Sequence, residues 1–328
     1  MVRASKFWLG ILFAGLIPAI TLAETPKAEP SLFRKSGIRF DICLGRLALG
    51  RGYPTGSRTW NLANEKAGTK ETLSTQNASP ASLDYKWTTA AEQMHFQWFG
   101  SGNVELTRDV GSVKTTYTQP KSGLVTLTIA HGEESPTVFK AAHLWHLWLI
   151  APDACEGHLA PALAAIRPDW QIAESLRDAL HEMDSVSDSD VAQRREEWTK
   201  HISELADSDF AIRQRADRAL RRGGISAWSW LARTSLNQLD TEQSERVTGI
   251  LADMRAQGDD TPQRLAAWMA EDQETWLVLM KDSSVDRRHL AKMQLERLLG
   301  RTVEFDPEAN EATRNKQWAG IRSLVERN

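Results

Sequence analysis

Cysteine is nearly absent from this chain: Cys43 and Cys155 are the only two in 328 residues. That excludes a disulfide-built scaffold and a four-thiolate zinc module. An excess of one charge is lacking as well. Forty Lys and Arg stand against 43 Asp and Glu, a net charge of −3, and a leader carrying Arg3 and Lys6 would remove two more positive charges. This balance is not the basic footprint of a nucleic-acid-binding domain. After residue 23 there is no apolar run long enough to cross a bilayer. The chain also lacks a G-x-S-x-G elbow, a G-x-x-x-x-G-K-[ST] loop, a G-x-G-x-x-G turn after a strand, and a C-x-x-C pair. No motif therefore assigns an activity, although catalytic groups can assemble from distant positions.

Met1–Ala23 has the composition of a secretory signal. Arg3 and Lys6 give a positive start, Phe7–Ile20 is apolar, and Thr21-Leu22-Ala23 precedes Glu24 as a small-residue cleavage site. The expected product is exported, periplasmic or extracellular, with no membrane span once the leader is removed. In an oxidising compartment Cys43 and Cys155 would form one disulfide or remain two separate buried thiols. Residues 24–37 read as a linker.

From residue 38 to 184 the pattern is that of a sheet with covering helices. Ile38–Leu44 reads as a first strand, and 45–80 as loops with one short strand at Trp60–Glu65. Between Leu83 and Ala130 the apolar period is two. Leu83, Tyr85 and Trp87 alternate with polar residues, as do Met94, Phe96 and Trp98, then Val125, Leu127 and Ile129. This is an antiparallel meander with one dry face and one wet face. Thr137–Ile150 reads as helical, as does the run from Pro152 to Ile166, with Asp153 and Glu156 as a capping-box pair. Asp169–Met183 forms one more amphipathic helix. Asp184–Asp190 is acidic and serine-rich, so a joint is expected at 185–190, followed by a helical region over 191–328.

The helical region is organised around Asp207–Gly224. Asp207, Ser208 and Asp209 supply capping oxygens. Ile212, Ala216, Ala219 and Leu220 form one apolar stripe, and Gly223-Gly224 ends it. The pattern returns seventy-five residues later: Asp282, Arg288, Ala291 and Leu295 stand where Asp207, Arg213, Ala216 and Leu220 stood. A fainter copy places Asp240, Arg246 and Gly249 in the same order. This D-x-x-[FV]-x-x-R-x-x-A-x-x-x-L pattern resembles HEAT-like helical repeats over 191–328. The tail Leu299–Trp318 is similar to the closing segment of exported bacterial HEAT-type proteins of uncharacterised function. The resemblance implies stacked helix pairs, a small residue where paired helices approach, and an Asp–Arg brace at each turn. It also implies a long surface suited to a protein partner.

Three sets of residues are candidates for chemistry. His143 and His146 share a helical face, and with Glu156 or His158 downstream they would make three ligands for zinc. Neither the spacing nor an intervening glutamate matches a metalloprotease helix, and Trp145, Leu147 and Trp148 between and beside them favour packing. The tryptophans read as core, with Trp60, in a polar stretch, the one placed to stack on a sugar ring. Arg213, Arg215, Arg218, Arg221 and Arg222 lie near Asp207, Asp209 and Asp217, which reads as a solvated helix face before an anion-binding strip. The expectation is an α+β chain, an antiparallel meander followed by an all-α array. Its expected role is that of an exported, non-enzymatic binding or scaffold protein without a cofactor. A metal-dependent hydrolase and a glycan-binding sheet domain are the alternatives.

Overall fold

The computed structural model describes residues 32–64, 68–184, 188–232, 234, 236–255 and 258–325. The expected leader, the linker as far as residue 31 and residues 185–187 of the joint lie outside them. The chain is α+β. Helix α1 (Leu32–Ser36) precedes a hairpin of β1 (Arg39–Cys43) and β2 (Arg46–Arg51). An eight-stranded antiparallel sheet follows, its strands adjacent in chain order. They are β3 (Arg58–Asn64), β4 (Thr69–Gln76), β5 (Ser82–Thr88), β6 (Glu92–Phe99), β7 (Val104–Val110), β8 (Val113–Gln119), β9 (Val125–His131) and β10 (Thr137–Ala141).

The alternation of period two explains the sheet. Trp60, Leu73, Tyr85, Phe96, Leu106, Tyr117, Leu127 and Phe139 are successive cross-strand partners, one from each strand. The six inner members are buried to within 1%. One such row, repeated above and below, makes the dry face that the helices cover.

Three local expectations are corrected. Residues 45–80 are mostly strand. In β4 only Leu73 is a large apolar residue facing inward, with Glu71 and Thr75 buried beside it, so the polar composition hid the period. Thr137–Ala141 is a strand paired with β9, and only Leu144–Ile150 (α2) is helical. Leu32–Ser36, assigned to the linker, is a helical turn with Leu32 and Phe33 buried. Its Leu32 N–H donates to buried Glu71, which also accepts from the Tyr85 hydroxyl.

Helices α3 (Pro152–Ala154) and α4 (Ala160–Ile166) are joined by a single π turn, Cys155–Leu159. Pro152 opens the run with no side-chain cap, so the Asp153–Glu156 box does not form. Next come α5 (Ile172–Asp184), α6 (Asp188–Glu204), α7 (Phe210–Arg222), α8 (Gly224–Leu231) and α9 (Thr241–Arg255). The chain continues through α10 (Pro262–Met269), α11 (Gln273–Leu279), α12 (Val285–Leu299) and α13 (Glu311–Val325). α6 to α9 share a small core around Trp198, Ala216, Leu220 and Ile250. α10 packs on α5, and α11 packs on α2. The larger apolar core thus runs unbroken from the sheet through α2, α5, α10, α11 and α12.

The two copies of the Asp–Arg pattern are built alike. Arg213 donates to the main-chain oxygens of Asp207 and Ser208 at 2.6 and 3.0 Å. Arg288 does the same to Asp282 and Ser283 at 2.7 and 2.8 Å. Ala216, Leu220, Ala291 and Leu295 are fully buried. The brace therefore runs from arginine to backbone carbonyls, while Asp207 and Asp282 each accept from the amide two residues on. In the fainter copy Asp240 and Gln243 form a reciprocal capping box, but Arg246 turns to Glu242 instead. At the tail, α13 is capped by Asn310, which accepts from Thr313. Asp306 holds a separate turn, accepting from the Glu308 N–H.

Candidate functional site

His143 and His146 meet at the start of α2. His143 is not within the helix but caps it: in extended backbone, its Nδ1 accepts from the His146 N–H at 3.4 Å. The two imidazoles stack, ring centres 3.6 Å apart and 30° between planes. Trp268 of α10 meets the His143 ring edge-on at 4.6 Å. On the far side stands α11, whose first turn is capped by Asp272. This carboxylate accepts from the Thr275 N–H and hydroxyl at 2.8 and 2.7 Å. His146 Nε2 lies 2.9 Å from Asp272 and 2.8 Å from Thr275 Oγ1. One donor atom each from His143, His146 and Asp272 fall within 4.8 Å of one another.

The surroundings set the charges. His143 and His146 expose 9% and 1% of their surface. Burial, with His146 beside it, drives the His143 pKa well below its ordinary value, against the pull of Asp272. Burial alone would raise Asp272, but the hydrogen bond and charge of His146, with His143 and Thr275, hold it well below the usual carboxylate range. The Asp272 side chain keeps 29% of its exposure. His143 Nε2 and His146 Nδ1 are both buried without a hydrogen-bond partner.

The other two proposed ligands do not join them. His158 lies in the π turn against His131, ring centres 6.2 Å apart, and Glu156 is exposed beside a separate cavity near Trp170. In place of these, the structure brings Asp272 and Thr275, which the sequence reading missed. The available signal was an aspartate immediately before an apolar helix with threonine three residues on, a capping pattern.

A cavity of about 950 Å3 lies elsewhere, between β2, the end of β6 and the Gly258-Asp259 segment. Its carboxylates are already engaged. Buried Arg167 donates to the Phe40 carbonyl, to Asp41 at 2.9 Å and to Asp259 at 2.6 Å. Cys43 also lines it, but burial first, then Asp260 and its neighbours, push this thiol up to about 12. It is poorly suited to act as a nucleophile. Cys43 donates to the Gly258 carbonyl and Cys155 to that of Leu147, and both are free. Cys155 is buried and Cys43 only partly so.

Trp60 sits in β3 as the outer member of the cross-strand row, partly buried against the core, not in a polar loop. The five arginines of α7 divide into two sets. Arg213 lies 2.9 Å from Glu242, and Arg221 pairs with Asp217 at 2.6 Å and also with Asp253. Arg215, Arg218 and Arg222 are exposed and make no ion pair among the described residues. Among the described residues no helix is long and apolar enough to cross a membrane. No protein-family model, curated protein or solved structure matches the chain.

Proposed function

We propose that this is an exported, non-enzymatic binding protein whose helical half takes protein partners, with α7 seating an acidic segment of the partner. The observation that carries the reading is the division of the α7 arginines. Arg215, Arg218 and Arg222 stand at i, i+3 and i+7, one face of the helix. The nearby carboxylates Asp217, Glu242 and Asp253 are occupied by Arg213 and Arg221 instead. Arginine forks pair with carboxylates two bonds at a time, which suits an acidic peptide. The likeness of the two Asp–Arg turns supports the resemblance to stacked helical repeats. Export rests on the leader pattern of Met1–Ala23.

The alternatives draw less support. His143 and His146 expose only 9% and 1% of their surface, and Trp60 belongs to the core row. The test is fluorescence anisotropy with a glutamate-rich peptide at low and moderate salt. Binding should weaken at least tenfold in the combined Arg215→Ala, Arg218→Ala, Arg222→Ala variant and weaken with salt. Equal binding by that variant, or none by the parent, refutes the assignment.

A further inference from the structure

We propose that His143, His146 and Asp272 bind one divalent transition cation of the zinc class, which pins α2 to α11. Two imidazoles and a carboxylate are ligands that zinc takes, and a fourth position is left for water. Calcium and magnesium prefer all-oxygen shells and are not expected here. The three donor atoms already lie within 4.8 Å of one another. His143 is nine-tenths buried, and its Nε2 has no partner. A polar atom enclosed in this way is one that a ligand would satisfy.

The backbone around the site is fixed by other bonds. Asp272 is anchored by two donors from Thr275. The His143 position is fixed by the Leu144 N–H, which donates to the Gly45 carbonyl at 2.8 Å. Coordination gives up little. The His143 Nδ1 contact with the His146 amide is long at 3.4 Å, and the two rings must part from their stack. Asp272 exchanges its contact with His146 Nε2 for the cation and keeps both bonds from Thr275. The 29% exposure of Asp272 provides a route of entry. None of the three residues lies on α7, so this site and the acidic-peptide surface stand or fall separately.

The test uses full-length protein without an affinity tag, stripped with a chelator and titrated with zinc and cobalt(II). One equivalent should bind, cobalt should give the visible bands of a low-symmetry four-coordinate site, and zinc should raise the melting temperature. Asp272→Asn retains a capping side chain, so the fold should survive while affinity falls at least about tenfold. His143→Ala should abolish the cobalt bands. Failure of the parent to take up a stoichiometric ion overturns the proposal, as does undiminished affinity in a folded Asp272→Asn variant or persistence of the cobalt bands in a folded His143→Ala variant.

Discussion

Asp260 accepts the indole N–H of Trp145 at 2.8 Å, joining the segment before α10 to the first turn of α2. The same carboxylate accepts the Leu44 and Gly45 amides at 2.9 and 2.7 Å. One side chain thus holds the tip of the β1–β2 hairpin and the helix that covers the sheet. Burial lifts its pKa from 3.8 to about 6, although these donors and Arg264 pull the other way. A carboxyl whose folded value exceeds its unfolded one favours the fold below the unfolded value. That contribution is lost as pH rises through the folded value. The shift corresponds to on the order of 3 kcal/mol. Asp260→Asn should cost about 1–3 kcal/mol at low pH for the lost acceptor and should flatten stability between pH 3.8 and about 6. Denaturant melts across that range check it; an unchanged slope would contradict the assignment.

Gly45→Ala should be poorly tolerated. Its φ is +68°, and an added Cβ would stand 2.6 Å from the His143 ring. Left-handed strain and overpacking together suggest a loss of about 2–5 kcal/mol. Gly37 has φ +74° with nothing within 4 Å of its added Cβ, so Gly37→Ala should show only the strain, about 1–2 kcal/mol. Equal losses in paired melts would dismiss the steric role of His143.

Arg288 and Arg213 make equivalent bonds in unequal surroundings. Arg288 is 5% exposed and also donates to the Pro307 carbonyl at 2.7 Å. Arg288→Ala would leave one buried and two part-buried carbonyls short of a donor, a loss of about 2–4 kcal/mol. Arg213 keeps 18% side-chain exposure, and water can replace it, so Arg213→Ala should cost about 1–2 kcal/mol. The reverse order in thermal melts would mean the two turns are not equivalent.

The two thiols should be silent in the folded protein. Burial pushes both Cys43 and Cys155 up to about 12, leaving roughly one thiolate in ten thousand at pH 8. Iodoacetamide should add no mass to native protein and two adducts after unfolding without reductant. Native labelling, or no labelling of the unfolded chain, would refute this account.

Much of the fold was legible because burial and period coincide. Tyr85, Phe96 and Tyr117 announce a sheet, since each alternates with a residue that faces water. β4 was not legible: the inward face of Thr69–Gln76 carries Thr75 and Glu71, and the partners of Glu71, Leu32 and Tyr85, are distant in sequence. The same limit governed the site. His143 and His146 are visible together because three residues separate them. Asp272 joins them only through the packing of α11 on α2, a contact with no local trace. Arg213 and Arg288 were readable as a pair because a turn braced on its own carbonyls is a local device, repeated whole.

The unbroken core has a further consequence for dividing this protein. A fragment ending at Asp184 would leave bare the flank of α5 that α10 shields, and it would lose the carboxylates of Asp259 and Asp260 that grip β1 and its turn. The partner fragment would carry Trp268, Trp276 and Leu277 to the surface. Each half serves as the other's missing wall.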